Sequence, residues 1–389
     1  PRIIGSILSV MDANSQREDL LALMADPAIR IVSLTVTEKG YCHDPATGEL
    51  DQKHADIVHD LDNPTAPKSA PGMLVEALAR RKAAGAAPFT VMSCDNLPSN
   101  GETAKRIVTA FAALRDAELG EWIKSVAFPS TMVDRIVPST ADADRDEVAG
   151  LIGAEDAWPI MTEPFTQWVI EDRFAHGRPA WDSAGALFVA DVTPFERMKL
   201  RMLNGTHSLL AWLGFLAGHD FVRDAIVDPA IFSAARRHLT VAAGTLGPVP
   251  GVDLARYAQD LLERFANRAI AHRTAQIAMD GTQKLPPRVF EPAAELLESG
   301  RDADSYALIT AAWMRYARGV TPQGQPYPLN DPREAEIRAA LATVPQQAEA
   351  NPEAMADALF SLPGLFPPAL TGHAGWRRQV VAHLARLDA

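Results

Sequence analysis

The chain has 389 residues, of which 47% are hydrophobic and 22% charged, a globular composition with enough apolar material for two domains. A formal net charge of −12 argues against nucleic-acid or anionic-membrane partners, because no concentrated basic patch offsets the repulsion. No apolar stretch reaches membrane-spanning length, and two cysteines, Cys42 and Cys94, are too few for a disulfide framework. We therefore expect a protein of a reducing compartment, the cytoplasm.

The first half of the chain alternates between strand-like and helix-like segments. Extended segments are predicted at residues 2–10, 29–37, 89–94, 126–137, 162–171 and 186–192. Helices are predicted at residues 15–25, 70–85 and 103–115. Strands separated by helices of this length predict an α/β domain with a mainly parallel sheet.

Polar residues follow three of these strands, at Thr37-Glu38, Asp95-Asn96 and Asp134-Arg135. Ligands of open α/β sheets bind beyond the carboxyl ends of the strands, so we expect a site there.

From about residue 194 the pattern becomes helical, with amphipathic spacing at residues 254–265, 303–317, 334–341 and 375–387. We place the domain boundary near residue 190. This predicts an α/β domain over residues 1–190 and an all-α domain over residues 191–389.

The run from Met198 to Ser208 is the most informative stretch, because Lys199, Asn204 and His207 interrupt a sequence suited to a buried helix. In a regular α-helix, Lys199 and His207 would lie about 80° apart around the axis and roughly 12 Å along it. A lysine near an apolar surface tends toward a lowered pKa and becomes a usable general base. Taken singly, these residues also suit a solvated lysine, an Asn-Gly turn and a core histidine.

These motifs together resemble the mannitol dehydrogenase family, the polyol-specific long-chain dehydrogenases and reductases. The resemblance covers residues 29–287 and rests on Lys199, Asn204-Gly205 and His207-Ser208, beside Cys94-Asp95-Asn96-Leu97 and the segments 35–41 and 129–138. It implies a Rossmann-like sheet domain followed by a helical substrate domain, with NAD as cofactor and NADP not excluded. The implied substrate is a sugar alcohol, ketose or hexonate, and the implied assembly is a monomer or small homo-oligomer.

The resemblance also implies roles for individual residues. Lys199 matches the general base, Asn96 and Asn204 match the pair that holds the reacting oxygen, and His207 matches the histidine that orients substrate. Glu38 matches a carboxylate that passes the proton to solvent.

Further contacts follow from the same resemblance. It assigns substrate contacts to Asp134, Lys284 and Arg273, and cofactor contacts to Thr37, Asn96 and Val133.

One departure from the family concerns its phosphate-binding turn, because the chain contains no Gly-x-Gly. With the start at Pro1, this predicts that the first part of the nucleotide-binding domain is not represented in the sequence. Residues 38–42 and 279–286 look closer to the fructuronate reductase branch than to the mannitol branch.

Other classes fit less well. A zinc dehydrogenase would need a ligand set that two distant cysteines do not supply, so we expect no metal. None of the five tyrosines has a lysine four residues on, which argues against a short-chain dehydrogenase. A Cys94–His207 thiol hydrolase is disfavoured, because a cysteine that ends an apolar strand is usually buried. A catalytically silent sugar-binding scaffold without a nucleotide site stays open as the alternative.

Overall fold

The structure is a computed structural model that describes residues 1–44, 47–344 and 351–388. The chain divides into two compact units. The first comprises residues 1–135, 142–159 and 165–196, and the second residues 136–141, 160–164 and 197–389. The domain boundary at residue 190 stays a prediction.

The first unit is α/β. Its strands are β1 (Ile31–Leu34), β2 (Thr90–Ser93), β3 (Thr131–Asp134), β4 (Gln167–Glu171) and β5 (Leu187–Val189). Its helices are α1 (Arg17–Ala25), α2 (Ala55–Asp62), α3 (Ala70–Ala83), α4 (Asn100–Arg115), α5 (Ala117–Ile123) and α6 (Asp142–Ile152).

The strands pair as the α/β prediction requires, with one addition. β1 and β2 are parallel, with Ile31 opposite Thr90, and β4 and β5 are also parallel. β3 pairs with β4 in the antiparallel sense, which the alternation of strands and helices did not indicate. The Thr131 hydroxyl donates a hydrogen bond to the Ser93 carbonyl at 2.7 Å, so the carboxyl end of β2 lies beside β3.

Helix α3 shows how the sequence builds this unit. Ser69 caps its first turn by accepting a hydrogen bond from the Gly72 N–H, and Pro71 suits the turn because it needs no N–H there. Near its end, the buried Arg81 donates to the carbonyls of Met24, Asp26, Ile29 and Ala87. One guanidinium thereby ties α3 to the connection between α1 and β1.

Residues 2–10, predicted as a strand, form no strand in the structure. Their large apolar side chains are exposed, including Ile3 and Leu8. A β-strand is stable only when its backbone N–H and C=O groups are paired, and no described strand pairs with this segment.

The second unit is helical. α7 (Thr193–Met198) begins in the first unit and continues into a π-helical segment, π1 (Lys199–Asn204), and then into α8 (Gly205–Leu216). The helices that follow are α9 (Val222–Ala225), α10 (Pro229–Ala243), α11 (Leu254–Phe265), α12 (Thr274–Ala278), α13 (Gly281–Leu285), α14 (Glu291–Glu298), α15 (Asp304–Ala317), α16 (Glu334–Ala342), α17 (Pro352–Phe360), α18 (Pro368–Thr371) and α19 (Ala374–Asp388). A second π-helical segment, π2 (Pro286–Phe290), precedes α14.

Helix α11 follows the predicted bounds and illustrates why its sequence is helical. Asp253 caps the first turn by accepting from the Ala255 and Arg256 N–H groups. Tyr257, Leu261 and Phe265, spaced by four residues, form its buried face.

Candidate active site

The helix that carries Lys199, Asn204 and His207 changes geometry at the predicted site. Residues Lys199–Asn204 form a π-helix between α7 and α8 rather than the regular α-helix assumed from the sequence. The angle and rise calculated for an α-helix therefore do not apply to Lys199 and His207. Short π-helical insertions occur often at functional sites because they redirect neighbouring side chains.

The side chains of this segment are buried to different degrees. Lys199 is only 9% exposed, so its ammonium is not a solvated surface group. Arg201 is also buried, and its guanidinium makes two 2.6 Å hydrogen bonds to Glu295 and donates to the Thr245 carbonyl at 2.9 Å. Asn204 is half-buried. The alternative of a solvated lysine at position 199 is therefore wrong.

The Asn204-Gly205 pair is not a turn. Gly205 has a helical φ of −61°, so its role is not to adopt a positive φ. A Cβ at this position would lie 2.8 Å from His238 Nε2 and 3.4 Å from the Arg288 carbonyl oxygen. Glycine is needed here because α10 and π2 approach the backbone closely.

His207 lies one turn after π1 and is buried, with 7% exposure. Its ring packs against Phe265 at 4.7 Å and against the His272 ring at 5.3 Å, centroid to centroid. Burial holds the pKa of His207 well below its usual value of 6.5, and electrostatic interactions with His272, Arg288, Arg264 and Lys284 lower this pKa further. His207 is therefore neutral near pH 7, and its Nε2 makes no hydrogen bond to the residues that the structure describes.

The two basic candidates of the segment after α11 have different environments. Lys284 is half-buried in α13, and its ammonium donates to the carbonyls of Ile277 and Met279 at 2.9 and 2.6 Å. Lys284 is therefore not a fully solvated surface lysine. Arg273 is exposed and stacks over the Phe221 ring at 5.2 Å.

A buried ion pair beside His207 was not anticipated. The Arg264 guanidinium makes two hydrogen bonds to the Glu163 carboxylate, at 2.8 and 3.0 Å. Glu163 also accepts from the Ile136 N–H at 2.6 Å. Glu163 and Arg264 are about a hundred positions apart in the chain, so only the fold could reveal the pair. One small pocket is lined by Arg264, Arg223, His207 and His272.

In the first unit, the ends of β1 and β2 are held together by Asp95. Its carboxylate accepts from the N–H groups of Val36 and Thr37 at 3.2 and 2.8 Å and from the Tyr41 hydroxyl at 2.7 Å. Thr37 has a φ of 63°, which a threonine rarely adopts, so the Asp95 contacts offset local backbone strain.

The remaining predicted residues of this unit lie at or just beyond the carboxyl ends of β1, β2 and β3. Thr37, Glu38 and Asn96 are exposed, Val133 is half-buried and Asp134, the last residue of β3, is buried. The three predicted groups of polar residues thus lie at or shortly after the ends of β1, β2 and β3. The meeting of Asn96 with Lys199 and Asn204 stays a prediction.

Asn100 joins the loop after β2 to β3. Its side chain donates to the carbonyls of Asp95 and Thr131 and accepts from the Thr131 N–H, each at 2.9 Å. No sequence pattern indicated this role for Asn100.

Among the described residues, no group of three or more His, Cys, Asp and Glu side chains is arranged to hold a metal ion. No helix in the same ranges is long and apolar enough to cross a membrane.

The chemistry of this arrangement is that of proton transfer and polar recognition. The second unit places a buried amine, a carboxamide and a neutral imidazole on one helix, and the first unit gathers hydroxyl, amide and carboxylate groups at parallel strand ends. Family models of the mannitol dehydrogenase Rossmann domain and C-terminal domain match residues 2–183 and 191–363.

Individual relatives agree with the family models. The chain is 47% identical to D-mannonate oxidoreductase of Escherichia coli strain K12, over 99% of this chain and 79% of the relative. It is 41% identical to mannitol 2-dehydrogenase of Aspergillus fumigatus, over 87% of this chain and 68% of the relative.

A solved structure is similar as well. Pseudomonas fluorescens mannitol 2-dehydrogenase, in a ternary complex with NAD and D-mannitol, aligns with a TM-score of 0.84 and 40% identity, over 99% of this chain and 76% of that one. The chain belongs to the mannitol dehydrogenase family of oxidoreductases.

Proposed function

We propose that this chain interconverts a secondary alcohol of a hexonate or sugar alcohol and the corresponding ketone, with NAD as hydride carrier and Lys199 as general base. The observation that carries the proposal is the burial of Lys199 on π1, with Asn204 on the same segment and His207 one turn further. Burial disfavours the charged form of an amine, which makes it a proton acceptor near neutral pH.

The strand ends of the first unit fit one half of a dinucleotide. The parallel β1–β2 pair presents the exposed Thr37 hydroxyl and Asn96 carboxamide at its carboxyl edge, and this neutral donor set suits a nicotinamide nucleoside. We propose that Thr37, Asn96 and Val133 hold this half. When bound, NAD accepts a hydride from the alcohol carbon.

The residues of the chain would manage the proton and the oxygen. Lys199 Nζ takes the hydroxyl proton, while the Asn96 and Asn204 carboxamides donate hydrogen bonds to the oxygen as negative charge develops on it. Such donors typically contribute on the order of 100-fold or more to the rate. Glu38, which is exposed, would pass the proton to solvent. No step in this scheme requires a metal ion.

The charges around His207 favour a hexonate over a neutral polyol. Lys284, Arg288 and Arg264 lie close enough to lower the His207 pKa. A substrate carboxylate would gain from this positive field, whereas a polyol would not. The 47% identity to D-mannonate oxidoreductase supports the same substrate class. Mannitol with fructose is the second candidate, favoured by the likeness to the mannitol-bound Pseudomonas fluorescens enzyme.

The experiment is a panel of initial rates with the full-length protein and NAD, NADH, NADP or NADPH. The substrates are mannonate, mannitol, arabinitol, fructuronate, tagaturonate and fructose. Mannonate oxidation and fructuronate reduction at least tenfold faster than the mannitol and fructose reactions support the hexonate proposal. Sugar binding without any cofactor response would contradict it and favour the silent scaffold.

A further inference from the structure

The π1 segment departs from α-helical geometry at one defined backbone group. The Gly205 N–H donates to the carbonyls of Leu200 and Met202. In an α-helix its acceptor would be the Arg201 carbonyl, four residues earlier. The Arg201 carbonyl thus loses its usual partner in the interior of the unit, where an unpaired carbonyl is costly.

The side chain nearest this break comes from another helix. His238, on α10, is fully buried. A Cβ added at Gly205 would lie only 2.8 Å from its Nε2. Imidazole therefore fills the space that glycine leaves open beside the end of π1.

The surroundings of His238 define its protonation. Burial lowers the pKa of His238 to about 4, and contact with the Arg201 carbonyl opposes part of this shift. The ring is thus neutral near pH 7 and carries one N–H. Nδ1 faces the Ser305 hydroxyl at 3.5 Å, and the ring packs edge-on against Tyr306 at 5.0 Å. Ser305 can donate to Nδ1, which leaves the proton on Nε2.

We propose that His238 is a positioning residue that holds π1: its Nε2, which makes no hydrogen bond of regular geometry to the described residues, faces the Arg201 carbonyl, and its ring supports the Gly205 backbone. This inference rests on the proposed role of Lys199. Without His238 the segment relaxes toward an α-helix, in which successive residues are spaced by about 100° around the axis, so the angles between the side chains of π1 change. Lys199 and Asn204 would then lose their alignment with each other.

The test compares two replacements in the full-length protein. His238→Gln keeps an N–H donor, and His238→Phe keeps ring volume without a donor. His383→Phe, at another buried histidine of the helical unit, is the matched control for loss of packing. We measure kcat, KM, the dissociation constant for NADH and the pH profile of kcat, with far-UV circular dichroism to verify folding.

A misplaced general base is expected to cost about 10- to 100-fold in kcat. We expect this loss for His238→Phe, with NADH binding within twofold and, for alcohol oxidation, a displaced acidic limb of the pH profile, where the base becomes protonated. His238→Gln should recover most of the rate, and His383→Phe should lose stability with kcat within twofold. If His238→Phe does not fold, near-native kcat in His238→Gln carries the test.

Three results would overturn the proposal: wild-type kcat in a folded His238→Phe protein, equal losses in the Gln and Phe variants, or an unchanged pH profile. Lys199→Ala is assayed in parallel. An inactive Lys199→Ala beside a fully active His238→Phe refutes the positioning role alone, whereas an active Lys199→Ala refutes the proposed function.

Discussion

Acid should destabilise the helical unit through its buried histidines, and His238 allows one of them to be isolated. Burial lowers the pKa of His238 to about 4 from 6.5. Between these values the unfolded chain binds a proton that the folded protein does not. The contribution of this group to stability is therefore complete above pH 6.5 and is lost as the pH falls toward 4.

The size of the effect follows from the two pKa values. Proton linkage gives a loss of about 2 kcal/mol between pH 7 and pH 5 for a single histidine of this kind. His238→Gln removes the titrating group but keeps a polar side chain of similar reach. Its unfolding free energy should therefore fall less on acidification than that of the wild type, by about 2 kcal/mol over this interval.

Urea unfolding at pH 7, 6 and 5, followed by circular dichroism, measures this difference. His176→Gln, at an exposed histidine of the first unit, serves as the control and should follow the wild type. An equal pH dependence in the wild type and His238→Gln would refute the reasoning, because it would mean that the folded protein already carries the proton.

Three further substitutions test the packing around the site. Gly205→Ala should lower kcat at least tenfold, and less in a His238→Ala background, because the smaller side chain relieves the 2.8 Å approach; additive effects in this double-mutant cycle would refute the contact. Glu163→Gln should cost about 3 kcal/mol of stability in urea by removing the buried carboxylate that pairs with Arg264, whereas Glu334→Gln, in a more exposed pair, should cost less than about 1 kcal/mol. Asn100→Ala should cost about 2 kcal/mol or more and raise KM for NAD, because it leaves three backbone groups unpaired; an unchanged KM would contradict the link to the strand ends.

Much of the fold could be predicted because it depends on local periodicity. Helix α11 begins and ends at the predicted residues, since its cap at Asp253 and its apolar face are both written within one segment. The parallel β1–β2 pair also follows from strands separated by a helix. Residues 2–10 have the composition of a strand, but pairing requires a partner, and composition does not supply one.

The geometry of the candidate site could be predicted only in part. Lys199, Asn204 and His207 were recognised as a cluster, but the π-helix between them was not, and Gly205 at its end lies against His238, 33 positions later in the chain. The Arg264–Glu163 pair likewise joins residues that are distant in sequence. Contacts of this kind are set by tertiary packing, which no short-range pattern encodes.

The central claim is that the buried amine of Lys199 takes the substrate proton. The most direct test is the pH profile of kcat for the wild type and Lys199→Ala, with the NADH dissociation constant measured by fluorescence titration. General base catalysis typically contributes 10²- to 10⁴-fold, so we expect kcat to fall by about that factor, the pH dependence assigned to the base to disappear, and NADH binding to stay within twofold. A Lys199→Ala protein that keeps more than about a tenth of the wild-type kcat at neutral pH would contradict the account.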